Sequence, residues 1–147
     1  MTASKIRIAA VALLIAPLLS ACGSGGDDNG RLTGAKGDWA AQVDPICKQL
    51  QGKIGTLGDN PEQQANDVQD AVNRMKAAQY PKDDGERAAL FIASMENLYL
   101  SLQDVDQSRR VNDQPRAQKA LDGAHANAKK AADAANQYGL VECSEQL

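Results

Sequence analysis

The chain holds a single histidine, His125, and few aromatic side chains: one Trp, one Phe and three Tyr. A catalytic triad or an imidazole metal site needs a base or ligand with partners around it. His125 lies near Leu121 and Lys129 on the flank of a helix and lacks such partners, so it reads as a boundary residue. No run of about 20 apolar residues is present, which excludes a membrane-spanning helix. No stretch alternates at period two with β-branched residues, so no sheet is expected. "GSGGDDNG" follows no strand and lacks the Lys-Ser/Thr ending of a phosphate loop. "KDDGER", Lys82 to Arg87, lacks the regular oxygen spacing of a calcium loop and reads as a helix start. The formal net charge is −3, without a basic cluster, which argues against nucleic acid as a partner. No cofactor and no metal are implied.

What is present begins with Lys5 and Arg7, followed by an apolar segment from Ile8 to Leu19 and then small residues. That order is a secretory signal in form. Leu19-Ser20-Ala21-Cys22 resembles the lipobox of bacterial lipoproteins: an aliphatic residue, a small or β-branched residue, a small residue, then cysteine. The resemblance implies cleavage before Cys22, with residues 1–21 as signal peptide, and a diacylglyceryl group on the Cys22 thiol. An ordinary signal peptide with a coincidental cysteine is the competing reading, and the complete order of charge, apolar run and small residues favours the lipobox. Each buried CH₂ of such a lipid contributes about 0.8 kcal/mol, and two chains anchor stably. Residues 22–37, rich in Gly and polar side chains, then read as a lipidated flexible tether with a root-mean-square span of roughly 20 Å.

With Cys22 assigned to lipid, Cys47 and Cys143 remain as an even pair in an exported protein, and a disulfide between them is expected. Free buried thiols are the alternative. Removing residues 1–21 takes away two cations and no acid, moving the net charge from −3 to −5.

Residues 38–147 carry four helical periods. Trp39, Val43, Ile46, Cys47, Leu50, Ile54 and Leu57 form one face, with Pro45 near its start. Either Asp44 caps a helix beginning at Pro45, or the helix begins near Asp38 with an irregular first turn and runs to Leu57, and the longer stripe favours the second. Asn60-Pro61-Glu62-Gln63 reads as N-cap, N1 proline and capping-box glutamine of a second helix, with Ala65, Val68, Val72, Met75 and Ala78 inward and Tyr80-Pro81 ending it.

The third helix runs from Asp83 or Asp84 to about Ser108, with Ala88, Phe91, Ile92, Met95, Leu98, Tyr99, Leu102 and Val105 on one side. A fourth, from about Asp113 to Tyr138, lines its inner face with Ala117, Leu121, Ala124, Ala128, Ala131, Ala135 and Tyr138. Gly139 and Leu140 suit a Schellman cap. Four helices with short connections predict an all-α, up-down-up-down four-helix bundle with one disulfide.

The tryptophan and Cys47 of the first helix, the alanine-rich last helix and the ending "QYGLVEC" resemble the small secreted or lipid-anchored helical proteins of actinobacteria. That resemblance implies a disulfide-stapled helical domain at the cell envelope and supplies no activity. The function expected is a non-enzymatic, lipid-anchored interaction module on the extracytoplasmic face of the cell membrane, held through Cys22 and meeting an envelope protein. The alternative is a carrier of a small hydrophobic ligand or lipid, with a cavity between Trp39, Met75, Phe91 and Met95.

Overall fold

A computed structural model of the chain describes residues 34–82 and 84–145. The expected signal peptide, Cys22 and Asp83 lie outside these residues. Within them are five helices: α1 Gly34–Ile54, α2 Pro61–Ala77, α3 Gly85–Arg110, α4 Gln114–Tyr138 and α5 Val141–Ser144. The four long ones pack as the expected up-down-up-down bundle, and no strand occurs among the described residues.

α1 starts at Gly34, one turn ahead of Asp38, so residues 34–37 belong to the helix and not to a flexible tether. It ends at Ile54, short of Leu57, where Gly55 turns left-handed at φ 57°. Pro45 lies inside it. An internal proline removes one i→i−4 bond and costs about 3 kcal/mol. The apolar face on both sides offsets that cost, since Trp39, Val43, Ile46, Cys47 and Leu50 are all buried.

α2 begins as expected: Asn60 Oδ1 accepts the Gln63 N–H at 3.4 Å and Pro61 occupies the first turn. Only this half of the capping box forms, because the Gln63 side chain donates to Asp67 Oδ2 instead of returning to Asn60. Asp84 takes the N-cap position of α3, but its carboxylate pairs with Lys36 and Arg87 and caps no N–H. Asp113 caps α4 through the Arg116 N–H at 3.1 Å. Asn112 supplies the left-handed residue between α3 and α4. Gly139, at φ 94°, closes α4 in a Schellman motif: Leu140 N–H reaches Ala135 O at 2.9 Å and Gly139 N–H reaches Asn136 O at 3.0 Å.

The expected stripes form the core, with two exceptions. Tyr99 and Leu121 are half-buried at its edge. The α4 alanines allow α3 and α4 to approach along most of their length. α1 behaves differently: among the described residues none of its Cα atoms comes within 8 Å of α3 or α4, and its backbone neighbours are α2 and α5.

The α1–α2 connection is held by a buried amide. Gln64 Nε2 donates to Ile54 O (2.7 Å) and Thr56 O (2.8 Å), while its Oε1 accepts from Gly58 N (2.8 Å). Arg109 from the end of α3 donates to Gly58 O at 2.6 Å. Gly58 has φ 90°, and a Cβ there would lie 2.5 Å from Leu121 Cδ1. The left-handed backbone favours glycine at this position, and a methyl group there would also have to displace the Leu121 side chain.

Candidate functional site

Three places in the fold gather polar or reactive groups. The first is the junction of α1 with the C-terminal segment. The chain reverses at Gly139, and α5 then runs alongside α1, in the same direction. Asp44, Cys47, Lys48 and Gln51 lie on one face of α1, three or four residues apart. Asp44 Oδ1 and Oδ2 accept the N–H groups of Glu142 (3.2 Å) and Val141 (3.4 Å), so Asp44 caps α5 and not a helix of its own. Cys47 bonds Cys143, with Cα atoms 5.0 Å apart and a sequence separation of 96. Lys48 Nζ lies 3.5 Å from Glu142 Oε1, and Gln51 donates to the carbonyls of Glu142 and Glu145.

The bridge therefore forms as expected, well inside α1 rather than at its start. Cys47 is 13 residues into α1, about 20 Å along its axis. α5 neighbours both α1 and the end of α4. Burial pushes the Asp44 carboxyl above its ordinary value, against the opposing pull of the α5 N–H groups.

A second cluster sits where α1 begins and α4 ends. The Trp39 ring meets Tyr138 edge-on at 4.8 Å and Phe91 at 6.4 Å, and Tyr80 lies tilted at 6.0 Å. Lys36 Nζ stands 4.8 Å above the Tyr138 ring and 3.0 Å from Asp84. Trp39 Nε1 and the Tyr138 hydroxyl are buried and find no hydrogen-bond partner among the described residues. Burial, with the negative charge of Asp84 second, pushes the Tyr138 phenol up to about 12. Trp39, Met75, Phe91 and Met95, expected around a carrier's cavity, are all fully buried in one core.

The third place is the seam between α2 and α3, which three cross-links divide. Arg110 bonds Glu62 at 2.7 Å at one end, and Lys76 pairs with Glu96 at the other. Midway, the Tyr99 hydroxyl accepts from Gln69 Nε2 (3.2 Å) and Gln103 Nε2 (2.6 Å). Between the cross-links are two recesses. The larger, of about 440 Å³, is lined by Asn66, Gln103, Asp106 and Gln107 among others. The smaller, of about 230 Å³, is lined by Gln69, Val72, Asn73 and Tyr99 among others.

Of the residues singled out from sequence, Cys47 and Cys143 come together, whereas Cys22 lies outside the described residues. His125 is exposed on α4. Among the described residues no group of three or more His, Cys, Asp or Glu could hold a metal ion, and no helix is long and apolar enough to cross a membrane. The longer-range contacts of Asp44, Gln51, Gln64 and Tyr99 were not legible, because they join residues 10 to 98 positions apart. Comparison with known proteins brings no match: no family model, curated protein or solved structure is similar to the chain.

Proposed function

We propose that the protein is an exported lipoprotein of the bacterial cell envelope, a non-enzymatic interaction module anchored through Cys22. The observation that carries this reading is the bridge from Cys47 to Cys143, which uses both cysteines of the described residues. Such bonds persist outside the reducing cytoplasm. The order of basic residues, apolar run and Leu19-Ser20-Ala21-Cys22 supplies the matching address. The resemblance to small lipid-anchored actinobacterial proteins points the same way.

Contact in place of chemistry is supported by how the reactive side chains are used. The two thiols are spent on each other, and His125 faces solvent away from both recesses. Among the described residues, the polar seam between α2 and α3 offers both room and hydrogen-bonding capacity.

Metabolic labelling with a palmitate analogue tests the anchor. The wild-type chain takes label and sediments with membranes, and Cys22→Ala takes none and is released. Persistent labelling of Cys22→Ala overturns the assignment.

A further inference from the structure

The outward side of α3 carries an apolar stripe. Among the described residues Leu90 and Leu100 are 59% and 56% exposed, and with Ala93 and Asn97 they fall at steps of three, four and three along one solvent-facing line. Ala89 is exposed beside them, and Ser94 and Ser101 turn their hydroxyls back to the Leu90 and Asn97 carbonyls, each at 3.0 Å. From Arg87 to Asp104, about 25 Å along the axis, no exposed residue of α3 carries a charge, because Glu96 is half-buried and turned to Lys76. The outer face of α4, by contrast, presents Lys119, Asp122, Lys130 and Asp133. A single exposed leucine needs no account, but two of them on one uncharged line with Ala89 and Ala93 make a surface suited to contact.

The stripe is complementary to itself. Its midpoint is residue 95, with Leu90 and Leu100 five residues to either side and Ala93 and Asn97 two. A second copy of α3 laid antiparallel across this point sets Leu90 against Leu100 of the second copy. Ala93 then meets Asn97 of the second copy, and the small alanine leaves that amide within reach of water. Two-fold symmetry makes every such contact twice.

The charges at the two ends select the same direction. Arg87, at one end of the stripe, comes beside Asp104 of the second copy, and its guanidinium has donors to spare beyond the 3.6 Å contact with Asp84. Glu86 shares that end, and Arg116, paired with Asp104, offsets it. A parallel arrangement would instead bring Arg87 onto Arg87 and Asp104 onto Asp104.

We propose that α3 docks antiparallel on α3 of a second copy of this chain, through Leu90, Ala93, Asn97 and Leu100. One helix face buries less than the about 1,200 Å² of a standard interface, so the dimer is weak, with a Kd above about 1 μM. This contact does not depend on the lipid anchor.

The test is sedimentation equilibrium of the full chain carrying Cys22→Ala, which removes any lipid. A reversible dimer is expected below about 1 mM. Leu90→Glu combined with Leu100→Glu weakens it tenfold or more, while Lys129→Ala on α4 leaves it unchanged. Both leucines are exposed, so their replacement leaves the thermal melt in place and separates association from folding. Oxidative cross-linking reads the direction: a mixture of Leu90→Cys and Leu100→Cys chains links to each other in preference to either linking with itself. A chain that stays monomeric up to about 1 mM overturns the proposal. So does undiminished association of the double variant, or preferential linking of Leu90→Cys to itself. A monomer that binds phosphatidylcholine–phosphatidylglycerol vesicles through the same two leucines also overturns it and gives the stripe to a lipid surface.

Discussion

The carboxylate of Asp44 accepts the backbone N–H of Glu142 at 3.2 Å, so a side chain in the middle of α1 closes the first turn of a helix 98 residues further along the chain. Replacing it with alanine removes an N-cap, a loss of about 1 kcal/mol. Asp44→Asn keeps an acceptor and loses less. The pH dependence has a definite sign. The folded carboxyl sits above its unfolded value of 3.8, so its contribution is full below that value and is lost as pH rises through the raised one. Urea denaturation of wild type and Asp44→Asn across the acid range to neutrality therefore shows wild type losing ground to the variant as pH rises. The opposite slope would refute this account.

The Cys47–Cys143 bond closes a loop spanning 96 residues in separation. In the chain-entropy model its removal costs about 4–5 kcal/mol, a large part of the 5–15 kcal/mol typical of a domain. Replacing both cysteines with alanine is expected to lower the melting temperature markedly. Amides from residue 140 to 145 should then exchange with solvent before those of α3. An unchanged melt would show that the loop is held by other contacts.

Gly58→Ala combines a left-handed backbone with a methyl group placed 2.5 Å from Leu121 Cδ1. The expected loss is on the order of 1–3 kcal/mol. Shortening the opposing side chain separates the two causes. In the Leu121→Ala background the crowding part disappears and the φ penalty stays, so the two substitutions together cost less than the sum of each alone. Strict additivity in a double-mutant cycle would count against the close approach.

Tyr138 ionises at about 12, above the ordinary 10 of a phenol. Its folded value is raised, so its contribution is present below the unfolded value and fades as pH climbs from about 10 towards 12. Following tyrosinate absorbance in wild type and Tyr138→Phe assigns the transition. The variant lacks the highest step and loses less stability over that alkaline range. A Tyr138 that titrates near 10 contradicts its enclosure against Trp39.

Sequence periodicity made the inner stripes of all four long helices legible, because burial acts on every third or fourth residue along one element. Asn60, Asp113 and Gly139 were equally readable, since each satisfies backbone groups within a few residues of itself. What stayed hidden depends on pairing between elements. The start of α1 at Gly34 rests on Lys36 reaching Asp84 and the Tyr138 ring, neither of which lies near it in sequence. α5 is four residues long and takes its cap from Asp44, so no local pattern announces it. The α2–α3 seam is likewise invisible until the helices are set antiparallel, when Glu62 meets Arg110 and Lys76 meets Glu96.

The clasp at Cys47 also decides how the molecule carries load. Tension applied between residues 34 and 145 runs along the first 14 residues of α1, crosses the sulfur bridge and leaves through the last few residues. α2, α3 and α4 all hang inside the covalent ring and feel none of it. Pulling on these two ends would leave the seam between α2 and α3 with its shape intact.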